Sequence, residues 1–263
     1  MNIDLTGKSA LVTGSTGGIG YAVARELARL GASVAVNGRT GERVEAAIAQ
    51  LKSEVPDGQF IPAVGSVSSA EGVDALVASL PAVDILINNA GIFEPRPFFE
   101  IEDREWQRFF DVNVMSGIRL SRAYTPGMVE RGWGRVVFIA SESGINIPVE
   151  MVHYGMTKTA QLAISRGLAE TVGGSGVTVN SVLPGPTLTE GVAEFLKSMG
   201  GAGADLDQVG REFIAENRPT SLIKRLASAE EVASMVAYLC TPAASATTGA
   251  ALRVDGGVLR SIA

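Results

Sequence analysis

The segment YGMTK, residues 154–158, places a phenol and a primary amine four positions apart. If the segment is helical, Tyr154 and Lys158 share one face of the helix. A free phenol has a pKa of about 10 and is a weak base near neutral pH. A neighbouring ammonium group would favour the phenolate and lower that pKa. The pair could then exchange a proton with a substrate oxygen without a histidine, of which the chain has one. One turn of an exposed helix would show the same spacing, so the surrounding elements must decide.

A serine follows a short apolar segment thirteen positions before Tyr154. The loop at residues 145–152 could bring the hydroxyls of Ser141 and Tyr154 together. Glu142 and Glu150 flank this loop. Either carboxylate could contact a polar substrate, although solvated loop carboxylates are the more common case.

A glycine-rich segment, TGSTGGIG at residues 13–20, lies between the first apolar segment and the first helical one. Glycines at such a turn let the backbone approach a pyrophosphate at the N-terminus of the helix. The spacing is GxxxGxG, and a plain turn would also fit. The position after the first strand favours a dinucleotide-binding turn.

The end of the second apolar segment reads Asn37-Gly38-Arg39-Thr40. In dinucleotide-binding sheets this end faces the adenosine ribose, and a carboxylate there would bind its 2′-hydroxyl. The segment has no carboxylate, and the guanidinium of Arg39 could pair with a 2′-phosphate. The sequence therefore favours NADP(H) over NAD(H). Arg39 as a solvated loop charge is the alternative.

Short apolar segments alternate with segments of helical periodicity along the chain. Continuous runs of Val, Ile and Leu are typical of parallel strands covered on both faces. Their succession predicts right-handed βαβ units in an α/β fold with a Rossmann-like, doubly wound parallel sheet and three layers, α/β/α. We predict strands at residues 9–13, 33–36, 60–64, 84–88, 135–140, 177–182 and 250–254. We predict helices at residues 19–30, 42–54, 70–80, 103–124, 152–172 and 229–239.

The region from residue 184 to residue 220 is the only long one that we predict to be irregular. It contains a helical patch at residues 189–198 and then GGAGAD at residues 200–205, which we expect to be flexible. We predict one domain over residues 1–263, with a substrate loop or lid at about residues 187–220. Phe195, Leu196 and Met199 are candidates for an apolar lid face, because a mobile helix closes over a cleft with its apolar side.

Composition excludes several classes of partner. The chain has 263 residues, 46% of them hydrophobic, and a net charge of −6, which argues against nucleic acid. No apolar run approaches the ~18 residues of a membrane span, and the first residues lack signal-peptide features. One Cys and one His argue against a metal site. We therefore expect a cytoplasmic protein that binds neither nucleic acid nor membrane.

Several motifs occur together in one order over essentially the whole chain. They are TGSTGGIG at 13–20, NNAG at 88–91, Asn113 in DVNV, Ser141, YGMTK at 154–158, PGPT at 184–187 and VDGG at 254–257. In this order and spacing the chain resembles the short-chain dehydrogenase/reductase (SDR) family. The resemblance implies hydride transfer between a nicotinamide cofactor and a carbonyl or alcohol substrate.

The resemblance also implies a catalytic set of Asn113, Ser141, Tyr154 and Lys158. Tyr154 would protonate the carbonyl oxygen in reduction and act as a base in alcohol oxidation. Ser141 would hydrogen-bond the substrate oxygen, and Lys158 would also bind the nicotinamide ribose. Asn113 would help to hold a water that relays protons to Lys158. Thr187 would orient the nicotinamide carboxamide.

The resemblance also implies which residues contact the cofactor, most of them near the ends of the predicted strands. They are Gly14, Ser15, Thr16, Gly18, Ile19, Gly20, Arg39, Ser66, Val67, Asn89, Ala90, Gly91, Tyr154, Lys158, Pro184, Gly185 and Thr187. Many relatives carry an Asp after the third strand, where this chain has Gly65-Ser66-Val67, so adenine recognition there would rely on Ser66 or on the backbone. The segment PGPTLTEGVAEFL departs from the pattern of acyl-carrier-protein ketoreductases, which weakens an assignment to fatty-acid synthesis.

We therefore expect an NADP(H)-dependent oxidoreductase that interconverts a ketone and a secondary alcohol. An NAD(H)-dependent alcohol, sugar or hydroxysteroid dehydrogenase is an alternative. A dinucleotide-sensing regulator is a second alternative, although such a protein has no need of Ser141, Tyr154 and Lys158 together. The expected partner is a small carbonyl or alcohol substrate. The resemblance implies a homotetramer or homodimer formed through the helices at residues 103–124 and 152–172.

Overall fold

In a computed structural model of the chain, residues 1–200 and 205–262 are described, without the side chains of residues 198–200. The strands are β1 (Ser9–Val12), β2 (Ser33–Gly38), β3 (Gln59–Val64), β4 (Ile85–Asn88), β5 (Gly134–Ile139), β6 (Val177–Pro184), β7 (Thr187–Leu188), β8 (Ala227–Ser228) and β9 (Ala251–Val254). The helices are α1 (Gly18–Arg29), α2 (Gly41–Glu54), α3 (Ala70–Ser79), α4 (Asp103–Phe110), α5 (Ser116–Glu130), α6 (Val152–Thr171), α7 (Glu190–Gly200), α8 (Leu206–Asn217) and α9 (Ala229–Cys240).

The described residues form a Rossmann-like sheet of seven parallel strands in the order β3–β2–β1–β4–β5–β6–β9. The predicted fold class is therefore confirmed. The strand order reverses between β1 and β4, and ligands of doubly wound sheets bind at such a reversal. Every residue of β4, β5 and β6 is buried, which agrees with their continuous apolar runs.

Helices cover both faces of the sheet. On one face, α1 packs against β1 and β2 through residues such as Leu27, and α9 packs against α1, β5 and β6 through residues such as Val236. On the other face, α5 contributes Leu120 and Met128 to a second cluster beneath β4 and β5. The core therefore lies in two layers, and the strand ends between them remain available for a ligand. Within the described part of the chain, no helix has the length and apolarity that crossing a membrane requires.

Most predicted elements agree with the structure to within one or two residues at each end. The helix predicted at residues 103–124 begins as predicted, but it contains a π-helical turn and the chain stays helical beyond residue 124. The chain forms α4, a π-helical turn at Asp111–Met115, and then α5, which continues past Pro126 to Glu130. A proline inside a helix is unfavourable by ~3 kcal/mol or more. Burial of Met128 and the hydrogen bond from the Tyr124 hydroxyl to Leu80 O offset this loss.

The prediction for residues 184–220 was confirmed only in part: the helical patch at residues 189–198 corresponds to α7, but the region is less irregular than expected. Beyond α7, the chain forms a second helix, α8, whose N-terminus is capped by Asp205 through a hydrogen bond from Asp207 N at 3.0 Å. The strands β7 and β8 pair with each other and join this region to the start of α9. The flexibility expected of GGAGAD concerns mainly residues 201–204, which lie outside the described residues, as does the side chain of Met199.

Candidate active site

A cavity of about 660 Å³ lies at the carboxyl ends of the strands, beside the reversal of strand order. The glycine-rich turn forms one wall, and Ser141, Tyr154 and Lys158 line the cavity as well. The lid helices α7 and α8 contribute Phe195 and Phe213. The sheet thus brings together residues that lie far apart along the chain.

The glycine-rich turn has the backbone geometry that a phosphate group needs. Gly14 and Gly18 have φ angles of 60° and 55°, which side-chain-bearing residues rarely adopt. A Cβ atom on Gly20 would lie 2.5 Å from both Asn89 Nδ2 and Gly14 O. The N-terminus of α1 has no side-chain cap, and Gly18, Ile19 and Gly20 line the cavity. These residues fit the pyrophosphate of a dinucleotide.

The turn is held by two polar side chains. The Thr13 hydroxyl donates to Ile87 O and accepts hydrogen bonds from the backbone N–H groups of Asn89 and Ala90. Asn89 Nδ2 donates to Thr13 O at 2.8 Å and to Gly14 O at 3.1 Å. The NNAG segment after β4 therefore supports the phosphate turn as well as lining the cavity.

The end of β2 lacks room for a side chain. A Cβ atom on Gly38 would lie 2.5 Å from Thr16 Cγ2, so a carboxylate in its place would collide with the glycine-rich turn. Arg39 is exposed and does not line the cavity, whereas Arg43 in the first turn of α2 does. Arg43 is not among the predicted cofactor residues, although its position four residues after Arg39 was a usable signal.

Helix α6 begins at Val152, so Tyr154 lies in its first turn and Lys158 in its second. Lys158 Nζ donates to Ile139 O at 2.8 Å and to Gln161 Oε1 at 3.2 Å. It lies 5.5 Å from the centroid of the Tyr154 ring. Lys158 is buried and Tyr154 half-buried, so the amine lies beneath the phenol at the cavity wall.

Ser141 approaches Tyr154 because the segment after β5 packs directly on α6. Ser141 caps a 3₁₀ turn at Glu142–Gly144, and its Oγ accepts a hydrogen bond from Ser143 N. A Cβ atom on Gly144 would lie 2.9 Å from the backbone of Lys158. On α6, a Cβ atom on Gly155 would lie 3.0 Å from Ser143 O. Two glycines therefore permit the contact that joins the serine to the helix.

The pKa values of the tyrosine and the lysine shift in opposite directions. Burial raises the pKa of Tyr154 to about 12, and a hydrogen bond with Ser141 only partly offsets this. Burial lowers the pKa of Lys158 to about 7. The sequence analysis expected the lysine to lower the pKa of Tyr154, so that expectation is wrong for the chain by itself. The physical reason is that desolvation of the phenolate dominates.

Asn113 lies in the π-helical turn and is fully buried. Its Oδ1 accepts a hydrogen bond from Ile92 N at 2.8 Å, and its Nδ2 donates to Thr157 Oγ1 at 3.0 Å. Its backbone oxygen accepts from Gln161 Nε2 at 2.6 Å. Gln161 therefore connects Asn113 to Lys158. The sequence analysis missed Gln161, although it follows Lys158 by three positions on the same helix.

Most of the predicted cofactor residues line the cavity, and some lie behind it. Those that line it are Gly14, Thr16, Gly18, Ile19, Gly20, Asn89, Gly91, Tyr154, Lys158, Pro184, Gly185 and Thr187. Ser15, Arg39, Ser66, Val67 and Ala90 do not line it. The Ser15 hydroxyl instead donates to Val12 O and accepts from Asn37 N, and the Ser66 hydroxyl bonds that of Ser68.

The predicted lid residues also differ in whether they line the cavity. Phe195 packs edge-on against Phe213, with ring centroids 6.1 Å apart, and both line the cavity. Leu196 is fully buried and does not line the cavity, so its assignment to the open lid face was wrong.

The lid also places Arg218 at the cavity, where it forms an ion pair with Glu142. No local sequence pattern predicts this ion pair, because Glu142 and Arg218 lie 76 positions apart in the chain.

Comparison with known proteins places this geometry among oxidoreductases. Residues 8–199 match the family model for short chain dehydrogenase. The chain is 51% identical over 263 residues to the uncharacterized oxidoreductase YvaG of Bacillus subtilis (strain 168), with 100% of each chain covered. It is 31% identical over 262 residues to the 3-oxoacyl-[acyl-carrier-protein] reductase FabG of Aquifex aeolicus (strain VF5), covering 98% of this chain and 100% of that one.

A solved structure is similar over the same length. The L-sorbose reductase of Gluconobacter frateurii, complexed with NADPH and L-sorbose, superimposes with a TM-score of 0.93. Its sequence is 33% identical, and the match covers 100% of both chains. The similarity includes the lid region, since no part of either chain is left out.

Proposed function

The chain belongs to the short-chain dehydrogenase/reductase family of oxidoreductases, which act on CH–OH and C=O groups with NAD(P), and from this premise we propose that it reduces a ketone to a secondary alcohol with NADPH. The observation that carries the proposal is the convergence of Ser141, Tyr154 and Lys158 at a cavity whose other wall is an uncapped, glycine-rich helix N-terminus. The reverse oxidation uses the same residues.

The residues at the cavity fit a nicotinamide dinucleotide. The backbone N–H groups of Gly18 and Ile19 would hold the pyrophosphate, and Arg43 would pair with a 2′-phosphate. Lys158 would bind the nicotinamide ribose, and Thr187 would orient the carboxamide. When bound, the cofactor supplies the hydride.

The chain itself would supply and move the proton. With its pKa raised to about 12, Tyr154 keeps its proton at neutral pH and can donate it to the substrate oxygen. Ser141 would hold that oxygen by a hydrogen bond. Lys158, Gln161 and the backbone oxygen of Asn113 form a hydrogen-bonded series behind the phenol. We propose that this series helps to return a proton to Tyr154.

The mechanism is tested by Tyr154→Phe. We expect kcat to fall about 10²- to 10⁴-fold, because general acid catalysis contributes a factor of this size. NADPH binding, followed by fluorescence titration, should change little, because the phenyl ring remains. Tyr238→Phe is the matched control, since Tyr238 is on the surface. Full activity of Tyr154→Phe would overturn the mechanism.

Cofactor preference is tested by initial rates with NADPH and NADH over a panel of ketones. We expect NADPH to be preferred, because Gly38 leaves no carboxylate to repel a 2′-phosphate and Arg43 lines the cavity. Arg43→Ala should raise the KM for NADPH more than Arg39→Ala does. Faster turnover with NADH would support the alternative NAD(H)-dependent dehydrogenase. Tight cofactor binding without turnover of any carbonyl would support a dinucleotide-sensing regulator.

We also propose that residues 1–263 act as one domain with a lid at about residues 187–220, that the protein is cytoplasmic, and that it is a homotetramer or homodimer formed through α4–α5 and α6. The resemblance to the family supports these statements. Light scattering after gel filtration tests the assembly, and a monomer at micromolar concentration would contradict it.

A further inference from the structure

A buried ion pair at the cavity has no part in the proton transfer described above. Glu142 directly follows Ser141 and is only 2% exposed. Its Oε1 accepts a hydrogen bond from Arg218 Nε at 2.8 Å. Arg218 comes immediately after α8, so the pair joins the lid to the loop that carries Ser141. The expectation that Glu142 is a solvated loop carboxylate was therefore wrong.

The pair lies close to the reacting group. Both residues line the cavity together with Tyr154. The charge of Glu142 raises the pKa of the Tyr154 phenol and that of Arg218 lowers it, although burial has the larger effect. A substrate whose carbonyl oxygen meets Ser141 and Tyr154 would therefore have its neighbouring carbon atoms beside Glu142.

One oxygen of this carboxyl group lacks a partner. Glu142 Oε2 is buried and has no hydrogen-bond partner of good geometry among the residues that the structure describes. Burial raises the pKa of the Glu142 carboxyl group, and Arg218 and the nearby Ser143 hydroxyl only partly offset this rise. An unsatisfied buried acceptor is unfavourable, and more so when it is charged. A hydroxyl group entering the cavity could relieve this deficit by donating a hydrogen bond.

The local charge selects the kind of group that can enter. Arg218 Nη1 also lies 3.8 Å from Glu150 Oε1, so two carboxylates share one guanidinium. A substrate carboxylate or phosphate would meet a net negative charge there and be repelled. A neutral hydroxyl would not be repelled. The aromatic rings of Phe93, Phe195 and Phe213 line other parts of the cavity and suit the carbon skeleton.

We propose that Glu142, positioned by Arg218, is a specificity-determining residue that accepts a hydrogen bond from a hydroxyl group next to the substrate carbonyl. The preferred substrate is then a neutral hydroxyketone. This inference rests on the proposed ketone reduction and adds the substrate class to it.

The test compares hydroxyacetone with 2-butanone, in which a methyl group replaces the hydroxyl. The ratio of their kcat/KM values with NADPH is measured for the unaltered chain and for Glu142→Ala. Any difference in intrinsic reactivity between the two ketones cancels when the ratio for the unaltered chain is compared with the ratio for Glu142→Ala. We expect Glu142→Ala to reduce the ratio at least about tenfold, because it loses a hydrogen bond to a carboxylate. The kcat/KM for 2-butanone should change much less.

Glu216→Ala is the matched control. Glu216 is an exposed carboxylate on the lid helix α8, which precedes Arg218, and it does not line the cavity. Its ratio should equal that of the unaltered chain. Glu142→Gln keeps the size of the side chain and decides the question if Glu142→Ala does not fold; its ratio should fall by a smaller factor. An unchanged ratio in a Glu142 variant that still reduces 2-butanone overturns the hydroxyketone inference and leaves ketone reduction standing. Failure of the unaltered chain to reduce any ketone overturns both.

Discussion

The catalytic wall and the lid of the cavity are attached to the fold in different ways. Ser141, Tyr154 and Lys158 come from the end of β5 and from α6, and Lys158 donates back to β5 through Ile139 O at 2.8 Å. The lid helices reach the rest of the chain through the β7–β8 pair and the ion pair between Arg218 and Glu142. The wall is thus part of the core, whereas the lid helices pack mainly against each other, and their buried residues Leu196 and Ile214 lie outside the two main core clusters.

The space around the glycines also differs between the wall and the lid. On the wall, a Cβ atom on Gly144 would meet the backbone of Lys158 at 2.9 Å. In the lid, a Cβ atom on Gly191 of α7 would meet nothing within 4 Å. The reacting groups therefore need a rigid and closely packed frame. The lid residues Phe195 and Phe213 lie on a region with room to change, which suits loops and lids that contribute to specificity.

The largest expected effect comes from Gly144→Val, which would push the segment that carries Ser141 away from α6. Backbone atoms cannot yield as a flexible side chain does, so we expect a loss of about 3 kcal/mol in the free energy of unfolding. Displacement of Ser141 by about 1 Å should lower kcat/KM about 10²-fold. Urea denaturation and initial rates measure the two effects.

Gly191→Ala is the matched control for Gly144→Val. Alanine in place of an unhindered helical glycine should stabilise the protein by about 0.5–1 kcal/mol. Equal losses of stability in the two variants would contradict the difference between wall and lid.

A smaller effect is expected from the titration of Lys158. Its pKa is about 7 in the folded chain, against an ordinary value of 10.5. Between these pH values the unfolded chain binds the proton more tightly, so this residue's contribution to stability rises with pH. Relative to Lys158→Met, the unaltered chain should gain about 2 kcal/mol in unfolding free energy between pH 7 and 9.

Urea denaturation at the two pH values measures this difference. Lys197→Met is the control, because Lys197 is exposed on α7. It should show the pH dependence of the unaltered chain. A parallel response of Lys158→Met and the unaltered chain would mean that the buried lysine does not titrate in this range.

The smallest of these effects is expected for Phe213→Ala in the lid. Removing this ring opens the cavity and leaves Phe195 without its edge-on contact at 6.1 Å. We expect kcat/KM for the best ketone to fall about tenfold, mainly through KM, since the reacting groups stay in place. Phe99→Ala is the control, because Phe99 is 98% exposed. A fall in kcat with unchanged KM would show that the lid also positions the reacting groups.

Local patterns were sufficient for the strands, most helices and the glycine-rich turn. Apolar runs and glycine spacing depend on neighbours within a few residues, which a sequence displays directly. The same reasoning failed at Pro126, where tertiary burial of Met128 outweighs the unfavourable proline. It also missed α8, although the Asp205 cap was present in the sequence.

The sequence by itself determined the βαβ order, the phosphate turn and the pairing of Tyr154 with Lys158 on one face of a helix, because each depends on short-range spacing. Only the tertiary structure decided that Gln161 joins Lys158 to Asn113, that Glu142 is buried against Arg218, and that Arg43 rather than Arg39 lines the cavity. It also decided the direction of the Tyr154 pKa shift. These features depend on burial and on contacts between distant segments, which no local pattern records.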